Sequence, residues 1–257
     1  MSAREKSHWI RLPWDSDHFG FEIARLHGSE LSPEHLRTEI EAARESGIKC
    51  LYWLANENAA AALPRSPAIK VLDTRVAYSR GLTKSDDPSD PHSMGIRGAE
   101  NQDVPELLRL ASTSHTNTRF FQDESFPADR ARSLYSLWIQ KAISDPDQVV
   151  FVSGPNGRPE AYITCGPSPA SRGAAIGLVA VAPNRRREGH AQKLVATALT
   201  WARGRGFPHL EVVTQGQNHP ARRLYEKIGF DLVDESTWVH LWLEGREVVA
   251  GYELGHP

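Results

Sequence analysis

The chain has 257 residues, enough for one or two domains that each bury a proper core. Its 30 Lys and Arg against 32 Asp and Glu leave a net charge of −2, so no global field favours nucleic acid or an anionic membrane. There is no run of 18 apolar residues, the start MSAREKSHW lacks a signal-peptide apolar core, and two cysteines cannot build a disulfide framework; a soluble, cytoplasmic protein with no membrane insertion is expected.

Residues 1–83 read as a smaller α/β domain that shapes a substrate cleft. It opens with HWIRLPWDSDHFGFEIARL, in which Trp9, Trp14, Phe19 and Phe21 form an aromatic cluster. Asp15, Asp17 and His18 lack a recurring metal-ligand spacing, so the acids read as turn and capping residues and no metal is expected. Ser32-Pro33-Glu34-His35 starts a helix in capping-box style, with Pro at the first helical position, running to about Ser46 and Gly47. The strand CLYWLA follows at 50–55. Cys50 and Cys165 lie in separate strand-like segments, as buried thiols rather than a bridge or a zinc site.

Residues 84–93, within the polar, proline-punctuated TKSDDPSDPHS, read as a linker. The second domain is expected over 94–245, with a tail at 246–257. Its predicted elements are a strand from Met94, a helix over Asp103–Ser114, a loop over His115–Pro127, a helix over Asp129–Ala142, and a hairpin of Gln148–Ser153 and Glu160–Cys165 about Gly154-Pro155-Asn156-Gly157.

Next comes GLVAVAPNRRREGHAQKLVATALTWARGRGFPHLEVVTQGQNHPARRLYEKIGF, from Gly177 to Phe230. Ala174 to Val181 is small, apolar and uncharged, as a buried strand should be. Ala191, Leu194, Val195, Ala198 and Ala202 then share one helical face. Arg185, Arg186, Arg187 and Gly189 therefore sit where a helix exposes its first unpaired N–H groups, a setting suited to phosphate or pyrophosphate, and Gly189 would let a ligand approach the backbone. Alone, the arginine run would be a solvated turn. A second strand from His209 to Thr214 precedes a helix on which Asn218, Ala221 and Tyr225 share a face. A core stripe would not need an amide in line with the phenol.

These segments resemble the GNAT superfamily of N-acetyltransferases. Arg186-Arg187-Glu188-Gly189-His190-Ala191 matches that family's Q/R-x-x-G-x-G/A signature, and Asn218 to Phe230, with Tyr225 within it, matches its second motif. The resemblance implies a mixed central sheet flanked by helices, preceded here by an α/β domain like a degenerate half of the fold. It implies acetyl-CoA as co-substrate, held by Val179, Ala180, Val181, Arg186, Arg187, Glu188, Gly189, His190, Ala191 and Asn218, with Tyr225 donating a proton to the departing thiolate. Backbone N–H groups of 178–181 are the expected donors to the thioester carbonyl or pantetheine amides. Position 191 is Ala where the family more often has Gly, and Pro220 sits in the first helical turn, where it is tolerated.

Two finer readings follow. Cys50 to Tyr78 (strand, Asn58, Ala-rich helix, strand) echoes His209 to His240 (strand, Asn218, helix, strand), a weak internal repeat. The first copy lacks the Arg/Gly turn and the Tyr. The opening LPWDSDHFGFEIARL, the loop NTRFF and the closing DESTWVHLWL also resemble the sugar-nucleotide N-acetyltransferases of surface-glycan assembly. That resemblance places acceptor contacts at Arg119, Phe120 and Phe121, with loop anchoring an equal reading for the two phenylalanines. The expected partner is a nucleotide-linked amino sugar. The alternatives are another small amine (aminoglycoside, polyamine or amino acid) or a CoA-binding protein without catalysis. His115, Asp123 and Glu124 are the only helpers offered as base. Edge strands after 236 could pair in a homodimer.

Overall fold

A computed structural model describes residues 8–83 and 95–244; the linker assigned to 84–93 and the tail from 246 lie outside these residues. In chain order the elements are β1 (Trp9–Arg11), α1 (Pro13–Phe19), β2 (Ile23–Leu26), α2 (Pro33–Glu45), β3 (Cys50–Ala55), α3 (Glu57–Ala61), β4 (Ile69–Gly81), β5 (Ile96–Gly98), α4 (Val104–Ser114), α5 (Arg119–Gln122), α6 (Ala128–Ser144), β6 (Val149–Ser153), β7 (Ala161–Pro167), β8 (Ala174–Val181), α7 (His190–Gly204), β9 (His209–Gln215), α8 (His219–Lys227) and β10 (Asp231–Trp242). They form two compact units. Residues 8–75, 119–127 and 235–244 make the first; 76–83, 95–118 and 128–234 make the second.

In the second unit β5, β6, β7 and β8 pair antiparallel in sequence order, and β9 adds parallel to β8. A parallel neighbour needs a crossover, and α7 supplies it. Its buried Leu194, Val195, Ala198 and Ala202 pack with Ile163, Cys165 and Ile176 of the sheet, and Tyr225 and Phe230 close the same core. Two local features shape β8. The register between β7 and β8 shifts between Ile163 and Cys165, and the Leu178 N–H donates to the Thr164 hydroxyl at 2.8 Å instead of to a ladder carbonyl. A Cβ on Gly177 would lie 2.7 Å from that same Oγ1, so glycine is what lets the bulge close.

The first unit repeats part of this plan. β1 and β2 pair antiparallel, β2 and β3 pair parallel across the α2 crossover, and β10 adds antiparallel to β3 from Thr237 to Trp242. Ser32 caps α2 as expected, its Oγ accepting from the His35 N–H at 3.2 Å. Leu36, Ile40 and Ala43 of α2 pack on Leu51, Trp53, Val239 and Leu241. The repeat aligns on Asn56 rather than Asn58. Asn56 caps α3 by accepting from the Ala59 N–H at 2.7 Å, as Asn218 caps α8 by accepting from the Ala221 N–H at 3.4 Å.

Three expectations change. Asp15 and Asp17 lie within α1 rather than a turn, with Asp15 in its first turn. The loop after α4 contains the helical turn α5, which carries Arg119, Phe120 and Phe121. The edge strands expected after 236 are part of one 12-residue strand, Asp231–Trp242, that follows α8. Among the described residues no helix is long and apolar enough to cross a membrane.

The bulge yields a prediction. Gly177→Ala should lower unfolding free energy by about 1–3 kcal/mol, because a methyl group must displace the Thr164 hydroxyl that holds the Leu178 amide. Urea denaturation of the two proteins measures this; an unchanged midpoint would show that the bulge yields freely.

Candidate active site

The site begins where two neighbouring strands part. β8 and β9 are paired over Ala174–Ile176 and Leu210–Val212, and the register ends there, five residues before β8 does. Beyond that point β8 is held on its β7 side. The Ala182 N–H donates to the Glu160 carbonyl at 2.8 Å, which sets the antiparallel alternation. Ala180, opposite Tyr162, thus turns its amide to β7, while Val179 and Val181 turn theirs toward the β9 edge. The N–H donors expected over 178–181 therefore narrow to Val179 and Val181, because those of Leu178 and Ala180 are engaged with β7.

The chain then turns into α7 through a strained loop. Arg187, at φ 68°, is the one non-glycine residue with positive φ among the described residues, and Gly189 follows at φ 84°. Side chains rarely adopt this region, and it tends to persist where function needs it. Nothing lies within 4 Å of a Cβ built on Gly189, so its need for glycine is conformational rather than steric. Gly189 is also the N-cap of α7 and offers no side-chain acceptor to the first turn. The orphan N–H groups of a 15-residue helix thus remain for a ligand, with the positive end of its dipole behind them.

The loop side chains divide into two sets. Arg186 and Arg187 are exposed. Arg185 turns back to Glu160 at 3.1 Å and to Glu188 at 3.2 Å, and Glu188 also lies 3.5 Å from His190. The His190 Nδ1 lies 2.8 Å from the Ser153 hydroxyl on β6. Glu188 and His190 therefore brace the loop, leaving the exposed arginines as its free charge. Ala191 is partly buried in the first turn of α7.

Across the opening, Asn218 ties α8 to β9. Its Nδ2 donates to the Thr214 hydroxyl at 3.1 Å while its Oδ1 caps the helix. Tyr225, two turns on, is 4% exposed, between Tyr78 at 5.9 Å and Phe230 at 5.7 Å between ring centroids. Burial pushes its phenol above the ordinary value, so the group stays protonated through the neutral range. Tyr78 itself donates to Glu226 at 2.7 Å and accepts from the Arg222 Nε at 3.2 Å, which holds α8 by its outer face.

Arg119, Phe120 and Phe121 belong to the first unit. The Arg119 guanidinium carbon lies 4.1 Å from the Tyr52 ring, 4.2 Å from Phe120 and 4.1 Å from Trp238. Its Nη1 donates to the His240 Nε2 at 2.7 Å. Arginine cannot accept, so Nε2 carries the lone pair, and the His240 Nδ1–H donates to Asp123 at 2.7 Å. Trp242 also donates to Asp123, at 2.9 Å. Asp123 and His240 are thus spent on a buried relay that holds Arg119, and Asp123 is not a base for chemistry. Phe120 is 3% exposed and stacks on Phe19 at 5.3 Å, which is an anchor's position; Phe121 is half-buried. The Tyr52 hydroxyl beside this group is buried without a hydrogen-bond partner among the described residues. Of the other helpers, Glu124 is exposed, and His115 stacks on Tyr135 with its Nε2 3.1 Å from the Tyr162 hydroxyl.

Sequence reasoning missed the relay, because Asp123 and His240 lie 117 residues apart with no periodicity linking them. It also missed the bulge, although an isolated glycine inside an apolar strand is the signal that would have found it.

The acetyltransferase (GNAT) family profile matches residues 110–230. The chain is 28% identical over 144 residues to the dTDP-fucosamine acetyltransferase of Escherichia coli O6:H1, covering 55% of this chain and 61% of that one. It is likewise 28% identical over 148 residues to the spore coat polysaccharide biosynthesis protein SpsD of Bacillus subtilis, covering 58% of this chain and 50% of that one. The chain thus spans less than two thirds of the length of these relatives. A GNAT-family protein from Novosphingobium aromaticivorans shares the fold with a TM-score of 0.54 at 18% identity, over 93% of this chain and 90% of the other.

The relay sets a pH dependence. Burial and the Arg119 charge hold the His240 imidazole down at about 4, against an ordinary value of 6.5, so it is neutral in the fold. Its contribution to stability is complete above pH 6.5 and is lost as pH falls toward 4. His240→Gln should remove on the order of 2–3 kcal/mol of the stability lost across that window. Denaturation midpoints between pH 7 and 4 measure it; parallel curves would contradict the assignment. Parted strands, an uncapped helix with two exposed arginines, and an Asn-capped helix bearing a buried tyrosine all lie within the 121 residues, 110–230, that match the acetyltransferase (GNAT) family profile.

Proposed function

We propose that the chain is an acetyl-CoA-dependent N-acetyltransferase acting on the amine of a nucleotide-linked amino sugar. The observation that carries this reading is the parting of β8 from β9 directly before an α7 N-terminus that has no side-chain cap. An extended, amide-bearing pantetheine arm fits an edge that offers alternate N–H groups, and a pyrophosphate fits orphan amides flanked by Arg186 and Arg187. The name of one relative, a dTDP-fucosamine acetyltransferase, favours a nucleotide-linked amino sugar as acceptor, and the other is named for spore coat polysaccharide biosynthesis. Two free, buried cysteines suit a reducing compartment such as the cytoplasm.

The co-substrate supplies an activated acetyl thioester. The roles of the protein follow from its own groups. The Val179 and Val181 amides hold the acyl carbonyl or the adjoining arm and stabilise the charge that develops on oxygen. The acceptor nitrogen bonds to the carbonyl carbon as the carbon–sulfur bond breaks. In net terms the amine loses one proton and the sulfur gains one. Tyr225, kept protonated by burial, donates to the sulfur and is reprotonated afterwards. Most of the rate gain comes from holding amine and thioester together. Asn218 fixes the approach of α8 to β9, and Glu188 and His190 keep the loop in its strained form. On the acceptor side we assign Arg119 to the nucleotide's phosphates and Phe121 to the sugar or base, with Phe120 positioning Arg119. The unsatisfied Tyr52 hydroxyl supports a polar ligand in that neighbourhood.

Tyr225→Phe should keep acetyl-CoA affinity within about twofold while turnover falls by roughly 10²-fold or more. Arg186→Ala with Arg187→Ala should do the reverse, raising KM for acetyl-CoA by about 10-fold or more with kcat little changed. Free-thiol release against a panel of amines that includes dTDP- and UDP-linked amino sugars measures both, together with the acceptor class. Full turnover by Tyr225→Phe would remove its assigned role, and turnover confined to simple polyamines or aminoglycosides would overturn the acceptor.

A further inference from the structure

A second cluster of chemistry-bearing side chains lies in the first unit, apart from every residue assigned above. Glu39 on α2 is 7% exposed, a position where a carboxylate needs partners. His8 supplies two of them. Its backbone N–H donates to Oε2 at 3.1 Å, and its ring Nδ1 lies 3.1 Å from Oε1. His35, one helical turn before Glu39, brings Nε2 to 3.8 Å from the same Oε1. The two imidazoles meet edge to face with centroids 4.5 Å apart. One donor atom from each of the three residues therefore falls within 4.8 Å of the others.

These separations suit coordination. A cation bound at about 2.0–2.2 Å to nitrogen and oxygen ligands holds tetrahedral neighbours about 3.4 Å apart, and the two imidazole–carboxylate distances, 3.1 and 3.8 Å, fall on either side of that value. The donors are also preset. The His8 carbonyl accepts from the His27 N–H at 2.7 Å, which fixes the chain at the start of β1, and the Ser32 cap fixes the His35 backbone. Ser32, Glu34 and Thr38 complete a surface depression around the three, leaving room for a water as fourth ligand. Two imidazoles and one carboxylate form a set suited to zinc and its neighbours rather than to calcium or magnesium, which prefer all-oxygen sites.

We propose that His8, His35 and Glu39 bind one zinc-class divalent cation, which ties the start of β1 to α2. Ordinary ion pairs of His8 and His35 with Glu39 are the competing account, and they call for no stoichiometric metal uptake. The test uses the full chain, stripped with a chelator and dialysed, then titrated calorimetrically with Zn²⁺ and followed by visible absorption with Co²⁺. The expected result is one ion per chain at roughly micromolar affinity, a four-coordinate Co²⁺ spectrum, and a Tm that rises with Zn²⁺. His35→Gln and, separately, Glu39→Gln should weaken binding by about 10-fold or more. His35 is partly exposed, so His35→Gln should leave the metal-free Tm unchanged, and its loss of binding is then not a loss of folding. Absence of a stoichiometric site at 100-fold higher Zn²⁺ than about micromolar, or binding that survives His35→Gln, would overturn the proposal.

Discussion

The separation of β8 from β9 is the constraint on which the candidate site depends. A parallel pair normally keeps its ladder for the length of the shorter strand, because each abandoned amide or carbonyl is costly once buried. Here the ladder ends at Ile176. The next two residues are those of the bulge, where Gly177 admits the Thr164 hydroxyl and Leu178 spends its amide on it. Bulges bend a strand and increase its twist. β8 thus leaves β9 at Ile176, two residues before Leu178 re-ties its other edge. What is left is an extended backbone edge that leads into the N-terminus of α7, an arrangement fitted to a ligand with amides along its length and phosphates at its end.

The first unit shows why topology alone does not make such a site. It has the same antiparallel pair, parallel crossover and Asn-capped helix. At the equivalent helix start, however, Ser32 caps α2, Glu34 occupies the first turn, and the preceding Glu30 accepts from Asn56 at 3.2 Å. Acidic side chains and a filled cap complement the helix dipole and repel an anion. At α7 the cap is a glycine, no acid occupies the first turn, and two arginines are exposed. The two copies differ by a few side chains placed at a single turn, and that difference leaves the α7 start, unlike the α2 start, without a side-chain cap or a first-turn acid to repel an anion.

Local patterns made much of this legible from residues alone. Apolar spacing placed α7, turn residues placed the β6–β7 hairpin, and the Ser32 cap placed α2 within a residue. The arginine turn and Asn218 were legible because short-range chemistry writes them next to the element they serve. Other features were not. Arg119 is held by His240 and by Trp238, partners more than a hundred residues away, which no window of sequence contains. The sequence offers Gly189 as a point of close ligand approach, and the structure adds a second reason for glycine there, a left-handed φ with open space around it. Those two reasons for a glycine share one letter and separate only in three dimensions.

Amide hydrogen exchange with and without CoA tests the central claim most directly, because it reads the backbone groups themselves. The account predicts protection at Val179, Val181 and the first turn of α7, with no change across residues 27–35 at the start of α2. Protection at 27–35, or protection of α7 without any change at Val179 and Val181, would contradict it.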